Sequence, residues 1–230
     1  PLYSSAASDV YKRQSRVSSV RSGDVLELPD GDRIRVLIAD EHEVMYDAWW
    51  PHLRQGQGGW GFAGKRSVCY YRTTLQVVKK ARRHEPEPLT ADETAIHRPD
   101  LPLRTLRGMG WTWSNEAFAT PVVMRRAAAE RGIDLGSLAR KVVIDAPKVV
   151  VTPCGRRSKR TVTLSADNGR AFDGLELLWK VHELQRLHHP CRVEGAGLYR
   201  LGIQGKVPSF YVWGEVDKAC LLYTSDAADE

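Results

Sequence analysis

A chain of 230 residues with 42% hydrophobic side chains has enough apolar material for a buried core, which excludes a wholly disordered polymer. Its 34 Lys and Arg outweigh 28 Asp and Glu, and the formal net charge of +6 favours polyanionic partners over cationic ones. No apolar run approaches the roughly 20 residues needed to cross a bilayer, so no membrane contact is expected.

The two ends mirror each other at the level of coding. Ser4 to Gln14 and Cys220 to Glu230 read as translations of one DNA string and of its reverse complement. That string resembles a transposase mosaic end joined to a sequencing-library adapter. Scars of this kind lie outside fold reasoning, so residues 1–14 and 220–230 are set aside and the folded insert is expected to run from Ser15 to Ala219. The ends hold two basic and four acidic side chains, which makes the insert more basic still. Its cysteines, Cys69, Cys154 and Cys191, are scattered and make no disulfide framework, pointing to a reducing, cytoplasmic compartment.

Residues 15–84 read as a small β-rich domain. Val25, Leu26 and Leu28 lead into Pro29-Asp30-Gly31-Asp32, which has tight-turn chemistry. Ile34, Val36 and Ile38 alternate with Arg33, Arg35 and Leu37, the period of a half-buried strand. A third strand is predicted over Val44 to Trp50 and a fourth over Ser67 to Thr73, with the glycine-rich stretch Gly56 to Gly64 between them. Short strands with tight turns suit a small SH3-like β-barrel. A basic helix is predicted from Leu75 to His84, where Glu85-Pro86-Glu87-Pro88 ends it. Residues 85–113 then read as a linker with short elements: a capping-box helix opening at Thr90 and Glu93, and a strand at Trp111 and Trp113.

Residues 114–219 read as a second domain. Thr120-Pro121 opens a helix that runs to Arg131 and stops at Gly132. Asp134 caps a second helix through about Lys141. Strands are predicted over Val142 to Ile144, Lys148 to Thr152 and Thr161 to Ser165. The strongest helix spans Gly174 to Leu187, with Asp173 and Glu176 as its capping box. A hairpin follows over Leu198 to Ile203 and Val207 to Trp213, turned at Gln204-Gly205-Lys206. The expected fold class is α+β, an SH3-like unit followed by a mixed ββαββ-type unit.

Several residue groups bear on function. Gly59 to Lys65 nearly spells a phosphate-binding loop, but Arg66 stands where that motif needs Ser or Thr for magnesium. Trp60 and Phe62 beside Lys65 and Arg66 suit a loop that stacks bases and neutralises phosphates. Cys154 to Arg160 gathers Arg156, Arg157, Lys159 and Arg160 in one hairpin loop, a further phosphate-contacting cluster. Met124 to Val143 invites comparison with a helix-turn-helix, although Arg131 and Lys141 occupy positions that motif keeps apolar. His182, His188, His189 and Cys191, with or without Cys154, lack the spacing of a zinc site, and Cys154 with His182, oriented by Asp173 or Glu183, is a conceivable nucleophile pair. Asp40, Glu41, Glu43 and Asp47 read as a polar turn and the outward face of a strand.

The expectation is therefore a non-enzymatic module that contacts a DNA or RNA backbone. Its residues are Trp60, Lys65, Arg66, Arg156, Arg157, Lys159 and Arg160, with no cofactor, metal or catalytic set expected. The alternative is a protein-interaction or assembly subunit that exposes Trp49, Trp50, Trp111, Trp113 or Trp213. An enzyme without a recognisable motif stands third.

Overall fold

The computed structural model of the chain describes residues 20–53, 56–61, 67–154, 161–188 and 193–216. Helices and mixed sheets follow one another without a βαβ repeat, so the class is α+β. The chain divides into two compact units, Pro1–Pro99 and Asp100–Glu230. The segment 85–113 is accordingly shared out between them. Its first part binds back onto the first unit, where the Glu87 N–H donates to Gly23 O at 2.9 Å. Its second part supplies Leu101, Leu106, Trp111 and Trp113 to the second unit's core. These side chains are too apolar to stay in a solvated linker.

In the first unit, β1 (Val25–Glu27), β2 (Arg33–Ala39) and β3 (Glu43–Trp50) form an antiparallel meander. Gly31 takes a φ of 91° in the first turn, a conformation that side chains with a Cβ resist. Asp40 builds the second turn by accepting from the His42 and Glu43 N–H groups at 2.7 and 2.8 Å. The alternation in β2 points to a half-buried strand, yet both of its faces are covered: Arg35 and Leu37 are as buried as Ile34 and Val36. A bulge lies between Val36 and Ile38. β4 (Gly59–Trp60) pairs with the far end of β3, and β6 (Tyr71–Thr74) pairs with its beginning, after β5 (Ser67–Cys69).

The helix predicted from Leu75 to His84 is a single turn, α1 (Leu75–Val78), capped by Thr74. The chain then becomes β7 (Arg82–Arg83), paired with β1. Lys79, Lys80, Arg82 and Arg83 would give a longer helix no apolar stripe. As a strand, the same backbone satisfies the edge of β1, with the His84 N–H donating to Val25 O at 2.9 Å. α2 (Ala91–His97) opens with the full Thr90–Glu93 capping box and ends at Arg98, φ 47°. The sheet order is β4-β3-β2-β1-β7 with β6 on β3, and no closed barrel forms among the described residues.

The second unit begins with β8 (Arg104–Thr105) and α3 (Pro121–Glu130). Thr120 caps α3 by accepting from the Val123 N–H, and Gly132 leaves it at φ 75°. The helix predicted from Asp134 is only a 3-10 segment, Gly136–Arg140. The Asp134 carboxylate accepts from Gly136 N at 2.7 Å, which tightens the entry into a turn. Of Trp111 and Trp113, expected in a strand, only Trp113 makes an isolated β-bridge, and both are core side chains.

β9 (Val142–Ile144), β10 (Lys148–Thr152), β11 (Val162–Ser165), β12 (Phe172–Asp173), α4 (Gly174–His188), β13 (Val193–Gln204) and β14 (Val207–Val216) complete the unit. The main sheet runs β11-β10-β14-β13, with β8 also on β13. All its contacts within the unit are antiparallel except β10 with β14. β9 and β12 form a separate pair. Val149, Val151, Leu198, Phe210 and Val212 from the sheet share one core with Leu175, Leu178 and Val181 of α4 and Met124 and Ala128 of α3. Asp173 caps α4 through the Glu176 N–H at 2.8 Å. The other half of the expected box is diverted, because the Glu176 carboxylate accepts from Asp167 N and Lys180 Nζ, each at 2.7 Å.

Candidate functional site

The glycines after β3 make room for indole rings. A Cβ on Gly58 would fall 2.5 Å from Trp49 Cζ2, and one on Gly61 would fall 2.5 Å from Trp50 Nε1. Two glycines of the stretch Gly56 to Gly64 are thus explained by seated tryptophans, and one of them, Gly61, belongs to the run that resembles a phosphate loop. Trp60 stands edge-on to Trp49 at 5.1 Å and is only 7% exposed. The guanidinium of Arg33 lies 5.7 Å from its ring centroid and that of Arg35 lies 5.1 Å away. Its Nε1–H donates to Glu87 at 2.9 Å, and Glu87 also pairs with Arg33 at 2.6 Å. Trp60 is therefore held within its own unit, not presented as an open stacking platform. Phe62, Lys65 and Arg66 lie outside the described residues.

The acidic group is likewise committed. Asp47 pairs with Arg35 at 3.1 Å, Glu43 with Arg72 at 3.5 Å, and Glu41 with the His42 imidazole at 3.1 Å. Arg35 reaches Glu93 as well, at 2.7 Å. Burial opposes the Glu93 carboxylate, but hydrogen bonds from Arg35 and Thr90 outweigh it and hold its pKa below the ordinary value.

His182 is fully buried on α4 among the rings of Trp111, Trp113 and Phe118. Trp111 Nε1–H donates to Nδ1 at 3.4 Å, so the proton on Nε2 is donated to Glu116 O at 2.8 Å. Both nitrogens are spent, and burial lowers the pKa, which keeps the ring neutral. Cys154 is held elsewhere: its backbone exchanges two hydrogen bonds with the Gln185 amide at 2.8 and 3.0 Å. Burial pushes its thiol pKa up, away from the thiolate that a nucleophile needs. Glu183 accepts from Phe118 N and from Arg186, so neither it nor Cys154 completes a catalytic set with His182. Among the described residues no group of three or more His, Cys, Asp or Glu is placed to hold a metal ion. His189 and Cys191 lie outside the described residues.

Arg156, Arg157, Lys159 and Arg160 also lie outside the described residues; the described chain leaves at Cys154 and returns at Thr161. The helix-turn-helix comparison fails on geometry, since α3 is followed by a 3-10 segment and then a strand. Of the five tryptophans considered for a partner surface, Trp111 and Trp113 are core residues. Trp50 and Trp213 are the exposed ones, one in each unit.

Trp213 belongs to a cluster that the sequence reading did not assemble. In the β13–β14 register Tyr199 faces Tyr211 and Gly197 faces Trp213. The ring centroids are 5.6 Å apart for Tyr199 and Tyr211, 5.9 Å for Tyr199 and Trp213, and 6.1 Å for Tyr211 and Trp213. Gly197 permits this arrangement, because a Cβ there would press on Tyr199 Cε2 at 3.2 Å. On the other side of β13, Arg104 of β8 pairs in register with Tyr199 and sets its guanidinium 5.6 Å from that ring. On the neighbouring strand Thr152 stands beside Tyr211, and its Oγ1 is buried without a hydrogen-bond partner among the described residues. Trp213, at 52% exposure, is the accessible member, while Tyr199 and Tyr211 are half-buried. The signal in the sequence was the two-residue spacing of Tyr211 and Trp213, which puts both on one face of a strand.

Among the described residues no helix is long and apolar enough to cross a membrane. No family model, curated protein or solved structure matches the chain.

Proposed function

We propose that the chain is a non-enzymatic module that contacts nucleic acid, stacking unpaired bases on the Tyr199–Tyr211–Trp213 face and drawing phosphates to basic loops. The ring cluster is the observation that carries this reading. Three aromatic rings within about 6 Å of each other on a sheet face, with a guanidinium at the rim, suit a base-stacking platform for single strands. By chain connectivity, the segment carrying Arg156, Arg157, Lys159 and Arg160 departs from the end of β10, next to the strand position of Tyr211. With Lys65 and Arg66 it would supply the electrostatic part of binding, consistent with the positive net charge.

An SH3-like strand arrangement, not closed into a barrel among the described residues, belongs to the same proposal. It is supported by five short antiparallel segments in the order β7-β1-β2-β3-β6, with a bulge to bend β2. The ββαββ reading of the second unit is supported by the β10–β11 and β13–β14 hairpins on either side of α4.

The test is fluorescence anisotropy of the 230-residue chain with labelled single strands of DNA and RNA and a matching duplex, across a salt series. Single strands should bind best, with a log–log salt slope of about −0.7 per phosphate neutralised. Replacing Arg156, Arg157, Lys159 and Arg160 by Gln should flatten that slope. Failure to bind any strand at low salt would overturn the reading and leave the exposed Trp213 to a protein partner.

A further inference from the structure

A second surface lies on α3, built by different residues. Val122, Arg125, Arg126 and Ala129 follow the i, i+3, i+4, i+7 spacing that makes one stripe of a helix. The stripe faces away from Met124 and Ala128, which α3 buries in the core. With Ile133 and Leu135 it lines an open groove of about 440 Å³. Leu135 is 1% exposed and forms the floor, whereas Val122 is 55% exposed at the rim. Asp134, the acidic residue in the lining, spends Oδ1 on the Gly136 N–H. Among the described residues Arg125 and Arg126 form no ion pair, although Arg131, one turn further on, is paired with Glu116. An apolar groove edged by two uncommitted guanidinium groups is complementary to carboxylates flanking an aliphatic side chain.

We infer that this groove docks an acidic peptide segment of a partner protein, an aliphatic side chain entering over Leu135 while neighbouring carboxylates pair with Arg125 and Arg126. Peptide is favoured over nucleic acid because the uncharged side chains of the lining, Val122, Ala129, Ile133 and Leu135, are aliphatic and none is an aromatic ring on which a base could stack. Its residues are separate from the ring cluster of the sheet, so either site can fail without the other.

The experiment uses the 230-residue chain and a fluorescein-labelled synthetic peptide alternating Glu and Leu, read by anisotropy. Saturable binding is expected, weakened at least about tenfold by the double change Arg125→Glu and Arg126→Glu, the loss of two charge-assisted contacts. A matching Lys–Leu peptide should bind that double variant better than it binds the parent chain, a reversal that mere unfolding cannot produce. Val122→Asp should weaken the Glu–Leu peptide as well. Absence of binding would overturn the inference. So would equal affinity for a peptide of Glu without Leu, or displacement of the peptide by a single-stranded oligonucleotide as readily as by unlabelled peptide.

Discussion

Arg35 and Asp47 stand directly opposite each other in the β2–β3 ladder and form an ion pair at 3.1 Å, with side-chain exposures of 5% and 0%. Opposite charges on facing strand positions fix register, because a slip of one residue would leave each buried without the other. Glu93 of α2 adds a second carboxylate to Arg35 and so fastens that helix to the same position.

Asp47→Ala should therefore destabilise the first unit by about 3 kcal/mol, the lower end for breaking a buried pair, since Glu93 still faces Arg35. Urea unfolding followed by tryptophan fluorescence measures it. Asp47→Asn should cost nearly as much, because the charge, not the shape, is what Arg35 requires. A loss under about 1 kcal/mol would mean the pair behaves as a surface one.

Acid should act on the same network. The Glu93 pKa is lowered from 4.5 in the folded state, so its contribution is complete above that value and is lost as pH falls through the folded pKa. Glu93→Gln should remove this portion of acid sensitivity. An unchanged urea midpoint profile between pH 5 and pH 2 would contradict the assignment.

His182 predicts a different window. Its folded pKa lies below 6.5, so the unfolded chain takes up a proton that the folded chain refuses. Stability from this residue is complete above pH 6.5 and declines as pH falls below it, by at most about 1.4 kcal/mol per pH unit. The slope of unfolding free energy between pH 7 and pH 5 should be shallower in His182→Gln than in the parent chain. Equal slopes would show that the folded ring takes up its proton as readily as the unfolded one, at the expense of the Trp111 N–H bond that Nδ1 accepts.

Gly58→Ala should disturb Trp49 more than any other ring. The added methyl would meet that indole at 2.5 Å, and Gly58 also holds a φ of 74° that alanine adopts at a cost. A loss of about 1–3 kcal/mol with a shifted fluorescence maximum is expected. A silent substitution would mean that the Trp49 ring has room to move aside.

Trp213→Ala tests the ring cluster separately from folding. Half of this side chain is already in water, so melting temperature should change little. Single-strand affinity should fall by about 1–3 kcal/mol, the worth of one stacked base. A drop in stability with affinity intact would assign Trp213 to the sheet and not to the ligand.

Much of the fold was readable because periodicity and caps act locally. Thr120-Pro121, Asp173 and Thr90 each mark a helix start that the structure contains. The misreadings share a physical origin in tertiary demand. Arg82 and Arg83 form a strand because β1 has an edge to pair, and no feature of Lys79 to His84 alone announces that edge. The short segment after Asp134 tightens to a 3-10 turn where Gly174 N reaches the carbonyl of Lys141. The aromatic face was legible only as the pair Tyr211 and Trp213. Tyr199 lies in the predicted hairpin but is set opposite Tyr211 by the register shift between Arg200 and Gly202, and Arg104 joins through strand pairing across a long stretch of chain, neither of which a local pattern encodes.

The parallel contact of β10 with β14 sets an order of assembly. Val150 and Val151 gain their second neighbour from Ser209 and Phe210, after α4 and β13 have both been made. During synthesis the β10–β11 hairpin must therefore wait on the ribosome with one flank open, which makes that flank the place where a holding chaperone, or a premature encounter with another nascent copy, would act first.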